Sequence, residues 1–219
     1  ATSFIGDGSQ LTNLPSSGGD SPFSYNSNEA GGIEVADYTT ASGTNSTAMG
    51  AGTIASGIFS TAMGYDTSAS GTHSTAMGAG TVASGAASVA MGAGTVASGI
   101  VSTAMGYYTD ASGHYSTSMG INTVASGRHS TSIGALTKAS DRSSLVIGEY
   151  NLTGSTVTSS ADQFSLDNTA FVIGNGADSD NRSDALVVKF NGDATLAGSM
   201  TATSFIGDGS QLTNLPSSG

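Results

Sequence analysis

Small, polar and apolar residues recur along most of this chain with a period of fourteen residues. The phrase Ala-Ser-Gly starts at position 41 and returns every fourteen residues until position 125, and Ala139-Ser140-Asp141 ends the run. A unit this short has no room for a helical hairpin and shows no apolar stripe with a 3.6-residue spacing. Two short strands joined by tight turns fit it, so the pattern predicts an all-β fold, a parallel β-roll (β-solenoid) of about eight repeats.

Side chains alternate between the two faces of a strand, so each repeated position can be assigned to a face. In the first strand the uniform positions, such as Thr53 and Ala55, are predicted to face the interior, and the variable position between them faces solvent. In the second strand Ala62 and its equivalents face inward, while a large apolar position faces the other way. This methionine column consists of Met49, Met63, Met77, Met91, Met105, Met119, Ile133 and Ile147.

Eight large apolar side chains on the outside of a roll need a partner surface, and a symmetric oligomer supplies one. The other interpretation places the methionines inside the roll. Under both interpretations these are packing residues, because no His or Cys at regular spacing accompanies them to bind a metal. Glycines near both turns of each unit, such as Gly57 and Gly64, are expected to supply the conformations that sharp turns need.

The composition of the chain mainly excludes certain classes of function. The 219 residues include 32 Gly, no Cys and five Lys or Arg, and the formal net charge is −11. The chain therefore lacks the basic surface that nucleic-acid binding requires, and its charge disfavours attachment to anionic membranes. No apolar run approaches the length of a membrane span, so we expect no membrane insertion by this segment.

The two ends of the chain carry the same eighteen letters, at residues 1–18 and 202–219. Chance does not produce such a match. It predicts a tandem array, in which further copies of this module follow head to tail. The other interpretation is that two copies were placed deliberately at the ends of one module.

The phrases Asn45-Ser46-Thr47-Ala48-Met49-Gly50 and Ser88-Val89-Ala90-Met91-Gly92 resemble the NSVAIG-type repeats of YadA-like head domains. Such heads belong to trimeric autotransporter adhesins and to related fibres of phage and bacteria. The resemblance implies a left-handed β-roll, three copies of which pack around a threefold axis with the apolar strand face inward. It therefore implies a homotrimer and an extracellular location, on a cell-surface appendage or a virion fibre.

The flanks resemble connector segments of tail-fibre-like proteins, on the strength of residues 3–15 and 184–196. In that family such pieces form β-rich trimeric connectors. Residues 184–196 also read as a β-hairpin with an Asn-Gly turn. We expect a connector and cap at 1–38, the roll at 39–150, a cap or insertion at 151–184, and a hairpin and connector at 185–219. Phe171-Val172-Ile173-Gly174 is predicted to be one more repeat strand, displaced by the insertion 152–168.

No set of residues suggests catalysis, a cofactor or a metal centre, so the chain is not expected to be an enzyme. Asp178 to Asp184 is oxygen-rich enough for calcium, but it lacks the EF-hand glycine and glutamate, which favours a polar turn. The three histidines, His73, His114 and His129, are expected on the surface. Five aromatic residues near the turns either contact a ligand or pack against a neighbouring subunit: Phe59, Tyr65, Tyr107, Tyr108 and Tyr115.

The predicted function is structural, as a module of a long trimeric fibre that spaces and stiffens, with an adhesive role. The alternative is a receptor-binding or glycan-binding adhesin or phage tail fibre, which would recognise a host surface glycan or protein through its turns. A minor alternative is an ice-binding solenoid, because regular threonine columns can match ice. The predicted inward direction of the threonines argues against it.

Overall fold

A computed structural model describes residues 24–25, 33–35, 38–152, 161–204 and 206, and the structural statements that follow concern these residues. They form β-strands in two sheets, of thirteen and eight strands. Among them is no helix long and apolar enough to cross a membrane. The end segments that share one sequence lie outside the described residues, apart from 202–204 and 206.

Each rung contributes one strand of two residues and one of five. The two-residue strands are β3 Thr40–Ala41, β5 Ile54–Ala55, β7 Ser68–Ala69, β9 Val82–Ala83, β11 Val96–Ala97, β13 Asp110–Ala111, β15 Val124–Ala125 and β17 Lys138–Ala139. The five-residue strands are β4 Thr47–Ala51, β6 Thr61–Tyr65, β8 Thr75–Ala79, β10 Val89–Ala93, β12 Thr103–Tyr107, β14 Thr117–Ile121, β16 Thr131–Ala135 and β18 Leu145–Glu149. The flanks add β1 Ser24–Tyr25, β2 Ile33–Val35, β19 Thr169–Asn175, β20 Asp184–Lys189 and β21 Ala194–Leu196.

Equivalent strands of successive rungs pair in parallel with an offset of fourteen residues. Met63 pairs with Met77 in the larger sheet, and Ala55 pairs with Ala69 in the smaller one. All eight two-residue strands form the smaller sheet, and all eight five-residue strands lie in the larger sheet. This arrangement confirms the predicted all-β solenoid of about eight rungs.

The interior of the roll is narrow and is filled by small side chains. The alanines at the second position of the short and the long strands, the threonines from Thr53 to Thr137 at fourteen-residue spacing, and the column that contains Ser60 are 0–1% exposed. The methionine column is partly exposed on the outer side of the larger sheet, as in Met63 and Met77. The methionines therefore do not fill the roll, and the interpretation that placed them inside it is wrong.

Two glycine columns are required by the close stacking of rungs. A Cβ on Gly78 would overlap the carbonyl oxygen of Gly92 in the next rung, and Gly78 also has a φ of +126°. A Cβ on Gly57 would overlap the carbonyl oxygen of Gly71, although Gly57 has no positive φ. The glycine of Ala-Ser-Gly thus serves close approach of the backbones, and the expectation that it supplies a special turn conformation is wrong.

The left-handed turn conformation is adopted instead by residues other than glycine. In the turn between the short and the long strand, φ lies between +54° and +62° at Asn45, Phe59, His73, Ala87, Val101, Tyr115, His129 and Ser143. Asparagine tolerates this region best, whereas for a β-branched residue such as Val101 it is strained. From Phe59 onward, each of these residues donates a backbone hydrogen bond to the preceding rung, such as Val101 N–H to the Ala86 carbonyl at 2.8 Å.

The larger sheet continues past the last rung. Strand β19 pairs in parallel with β18, so that Ile173 aligns with Ile147 and Gly174 with Gly148. This register confirms that residues 171–174 are one more repeat strand. Strand β20 then pairs antiparallel with β19, and β21 pairs antiparallel with β20 across the turn at Asn191-Gly192.

The smaller sheet ends at β17, where side chains replace a ninth rung. Within the roll the N–H of Val124 donates to the Thr137 carbonyl, but the N–H of Lys138 donates to Oδ1 of Asn151 at 2.7 Å. Nδ2 of Asn151 in turn donates to the Lys138 carbonyl at 3.1 Å. The Asn151 amide therefore provides a donor and an acceptor to an edge that would otherwise lack them.

Asp141 terminates its column in a comparable way. It replaces the glycine of Ala-Ser-Gly, and β17 has no following strand in the smaller sheet to clash with its side chain. The buried carboxylate accepts hydrogen bonds at Oδ2 from the N–H of Thr169 (2.9 Å) and from Oγ1 of Thr169 (2.6 Å). It thereby connects the last rung to β19.

Candidate assembly face

The outward side of the larger sheet is a flat apolar surface, which we call the assembly face. Its centre is the methionine column. The first and last positions of each five-residue strand flank this column, because residues two apart share a face of a strand. In β4 to β18 these flanking positions are mostly Thr, Ala, Tyr, Val, Leu or Ile. Along the roll, the only polar side-chain groups on this face are therefore hydroxyls, until the last strand is reached.

Charge is nearly absent from this face. The eight strands β4 to β18 of the larger sheet contain one ionisable acid or base, Glu149 at the end of the last strand, although the chain has a formal charge of −11. The smaller sheet differs, since its outward column includes Asp110 and Lys138. With rungs about 4.8 Å apart and five residues across, the assembly face covers on the order of 600 Å². Patches of this size on soluble proteins mark interaction sites.

Every member of the methionine column is partly exposed in the single chain, from Met49 in β4 to Ile147 in β18. The column also extends beyond the eight rungs. Its register continues through Ile173 to Leu186 and Leu196 on the C-terminal side. On the N-terminal side the backbone of Val35 aligns with that of Met49. The sequence repeat did not reveal this extension, because it crosses the insertion and changes to antiparallel pairing.

The five aromatic residues do not form one patch. Phe59 and Tyr115 lie in the turn between the short and the long strand, on rungs four apart, and each ring lies against a histidine ring of the next rung, stacked in the first pair and tilted by 48° in the second. The ring centroids are 5.1 Å apart for Phe59 and His73, and 5.0 Å apart for Tyr115 and His129. The guanidinium of Arg128 also lies 5.8 Å from the Tyr115 ring centroid.

The other three aromatic residues lie at the opposite edge of the rungs. Tyr65 and Tyr107 end strands β6 and β12, two residues after Met63 and Met105, and they border the assembly face. Tyr108 follows in the next turn and meets the Tyr107 ring edge-on, with the centroids 4.5 Å apart. All five aromatic residues are 49–68% exposed. His114 is likewise exposed, in the same turn as Tyr115.

In the oxygen-rich segment at 178–184, the carboxylates of Asp178 and Asp184 accept hydrogen bonds from the protein itself. Oδ1 of Asp178 accepts hydrogen bonds from the N–H groups of Asp180 (2.9 Å) and Asn181 (2.8 Å), and the Asn181 side chain bonds to both carboxylate oxygens. The bonds from Asn181 and the backbone lower the pKa of Asp178. Asp184 accepts a bond from Leu152 N–H, while burial raises its pKa. The two carboxylates thus serve separate contacts, as in a polar turn.

A cavity of about 140 Å³ lies where the roll meets its C-terminal strands. Val146, Val172 and Val187 line it together with Lys138, Asp184 and Lys189. Its volume is below the 300–1,000 Å³ of ordinary small-molecule sites. In the described part of the chain no group of three or more His, Cys, Asp or Glu is arranged to hold a metal ion.

A family model described as YadA head domain repeat (2 copies) matches the chain in seven overlapping segments, 41–67, 55–81, 69–95, 83–109, 97–123, 111–137 and 125–148. Each match spans two of the rungs described above. The roll is a YadA-like head. Its repeats are those of trimeric autotransporter adhesins, proteins that are exposed at the cell surface. A search of curated proteins finds no significant match to the chain.

Proposed function

We propose that this chain is a structural module of a long, homotrimeric extracellular fibre, which spaces and stiffens the fibre and contributes to adhesion. The observation that carries the proposal is the methionine column. It repeats large apolar side chains on eight successive rungs, outside the roll and partly exposed. In a YadA-like head, three such faces meeting around one axis would remove this surface from water.

The uniformity of the column supports this assignment. The outward column of the smaller sheet holds Thr, Ile, Ser, Val, Asp and Lys at different rungs, so duplication of the unit does not by itself keep an outward position constant. A column that stays apolar has the same environment at every rung. Three parallel copies of one roll supply such an environment, because each rung then faces the same rung of its neighbours.

Fibre geometry follows from the same arrangement. Eight rungs at about 4.8 Å give the roll a length of roughly 38 Å. Backbone hydrogen bonds run along this axis, and apolar packing acts across it. We propose that the segments that flank the roll connect three chains to the next module, and that modules follow one another head to tail. Trimers would then form a stiff filament on a cell surface or a virion.

The solution mass of the full chain tests the proposal. Light scattering coupled to size exclusion is expected to give three times the chain mass of 21.3 kDa. A stable monomer at micromolar concentration would refute the threefold packing. The methionine column would then need a different partner, and fibre geometry would lose its basis.

A second function, recognition of a host glycan or protein through the turns, is favoured by the exposed aromatic rings. Phe59 and Tyr115 present half-exposed faces beside histidines, away from the assembly face. Binding of a single trimeric module to immobilised polysaccharide or to cells tests it. Loss of that binding in Phe59→Ala and Tyr115→Ala, with the trimer intact, would support the turns as the contact surface; unchanged binding would refute it.

Ice binding has less support. The threonines from Thr53 to Thr137 in this column are 0–1% exposed, so they cannot contact ice. Absence of thermal hysteresis in a solution of the trimer would remove this function from consideration.

A further inference from the structure

Six methionine side chains lie in one file on the assembly face. Met63, Met77, Met91 and Met105 pair directly with one another in consecutive parallel strands, and Met49 and Met119 continue the file at its ends. Each is partly exposed in the single chain. The chain has no Cys, which makes these thioethers its principal oxidisable groups.

We propose that the methionine file is an oxidation site that controls trimer assembly, a proposal that rests on the trimeric function above. The reactant is a peroxide. The thioether sulfur attacks one peroxide oxygen, the O–O bond breaks, and with hydrogen peroxide the products are the sulfoxide and one water. Sulfur loses two electrons and the peroxide gains them, so no further reactant is required.

The effect on assembly follows from the position of the file. Methionine sulfoxide is polar and carries a strong hydrogen-bond acceptor, whereas the donors that strands β4 to β14 place on the assembly face are Thr and Tyr hydroxyls at its two margins and none lies in the methionine column. Burying up to six such groups per chain in the interface takes their oxygens out of water, which opposes association. The roll itself stays intact, since the methionines lie outside its interior.

Assembly also protects the file. In the trimer the thioethers are covered by two neighbouring chains, so they react only when the interface opens. In the unassembled chain they are partly exposed. Met200 is 66% exposed and lies beyond the last strand, away from the file. It serves as a comparison outside the file, and the same chain in denaturant gives the rate of each methionine when it is uncovered.

The first experiment treats the folded full-length chain with hydrogen peroxide and locates added oxygen by peptide mass spectrometry. We expect Met200 to react. We expect the six methionines of the file to react at least about tenfold more slowly, because covered side chains react through local opening. A rate at Met77 in a preparation of trimeric mass that equals its rate in denaturant would overturn the proposal. A preparation of monomeric mass would instead refute the proposed function.

The second experiment oxidises the chain in denaturant, removes the denaturant and measures the solution mass, with an untreated chain taken through the same steps. We expect the oxidised chain to show the strand circular dichroism of the roll at monomeric mass, and the methionine sulfoxide reductases to restore the trimer. A trimer from the oxidised chain, or loss of the roll itself, would overturn the proposal.

A pair of expressed variants provides a third test. All six methionines of the file are changed together either to Gln, a polar side chain of similar length, or to Ile, which the column already contains at Ile133 and Ile147. We expect the Gln chain to be monomeric and the Ile chain to be trimeric. When the Ile chain is treated with peroxide in denaturant and then refolded, we expect it still to form the trimer. Peroxide-blocked assembly of the Ile chain would place the sensitive group elsewhere and refute the proposal.

Discussion

The two outward faces of the roll are built from the same number of rungs, but they differ in how much their outward side chains vary from rung to rung. On the larger sheet the outward central position is Met or Ile at all eight rungs, whereas on the smaller sheet it ranges from Ile54 to Asp110 and Lys138. Both columns lie on strands that stack at the same spacing. We propose that the difference comes from what each face contacts, since solvent accepts any side chain and a dry partner surface accepts only apolar ones.

The largest effect is expected from a charge on the assembly face. Met77→Asp is predicted to leave a folded but monomeric chain, because an unpaired buried charge costs about 3–5 kcal/mol and the trimer would contain three of them. The matched control is Val82→Asp on the smaller sheet, where Asp110 already occupies the equivalent position. Light scattering should give one chain mass for the first variant and three for the second. A trimeric Met77→Asp chain would contradict the proposed face.

The stacking of the larger sheet can be tested at Gly78. Gly78→Ala is expected to destabilise the protein by about 3–5 kcal/mol, since it combines a clash with the Gly92 carbonyl and a φ of +126°. Gly80→Ala is the control two residues away, where φ is +62° and the nearest atom is 4.0 Å from the added Cβ. It should cost about 1 kcal/mol. Denaturant unfolding at equal chain concentration measures both; similar costs would show that stacking distance is not the constraint.

The end of the smaller sheet depends on one side chain. Asn151→Ala removes both hydrogen bonds to the backbone of Lys138 and is expected to cost about 1–3 kcal/mol. Hydrogen exchange at the Lys138 amide should accelerate, with little change at Val96 in the middle of the sheet. Leu152→Ala, at a 52% exposed neighbour, is the control. Unchanged exchange at Lys138 in Asn151→Ala would show that the cap is dispensable.

The smallest expected effect concerns the interior. The buried Oγ1 of Thr95 has no hydrogen bond, whereas Thr123 and Thr137 bond to Ser118 and Ser132, which replace the alanine five residues earlier. Ala90→Ser should give Thr95 the same partner and stabilise the protein by about 1 kcal/mol. Ala93→Ser, on the outer side of the same strand, should change stability by less than about 0.5 kcal/mol. A destabilised Ala90→Ser chain would mean that this rung lacks room for the hydroxyl.

Much of the fold could be predicted because each rung packs on a near copy of itself. The two-residue alternation placed Thr53 and Ala55 inside and Met63 outside, and the alignment of Phe171-Val172-Ile173-Gly174 with the repeat survived the insertion. The prediction was wrong about why Gly57 is glycine. A single unit shows a glycine beside a turn, and only the stacked rungs show that its missing Cβ makes room for the next backbone.

The aromatic residues illustrate a different limit. Their exposure was predictable from their place beside turns, but their grouping was not. The ring contacts of Phe59 with His73 and of Tyr115 with His129, and the position of Tyr65 and Tyr107 beside the assembly face, depend on how the turns of successive rungs overlie each other. A sequence pattern gives the column to which a residue belongs, and it does not give the direction that a side chain takes at an edge.

The sequence by itself determined the rung, the two sheets and the side of each strand that faces inward, because alternation and a fourteen-residue period are local properties that every repeat restates. Only the tertiary structure decided how the roll ends. There Asp141 bonds to Thr169, and Arg182 donates to the Leu136 carbonyl at 3.0 Å. These partners lie outside any repeat, so their pairing is fixed by the backbone groups that the last rung leaves open, and no period in the sequence encodes it.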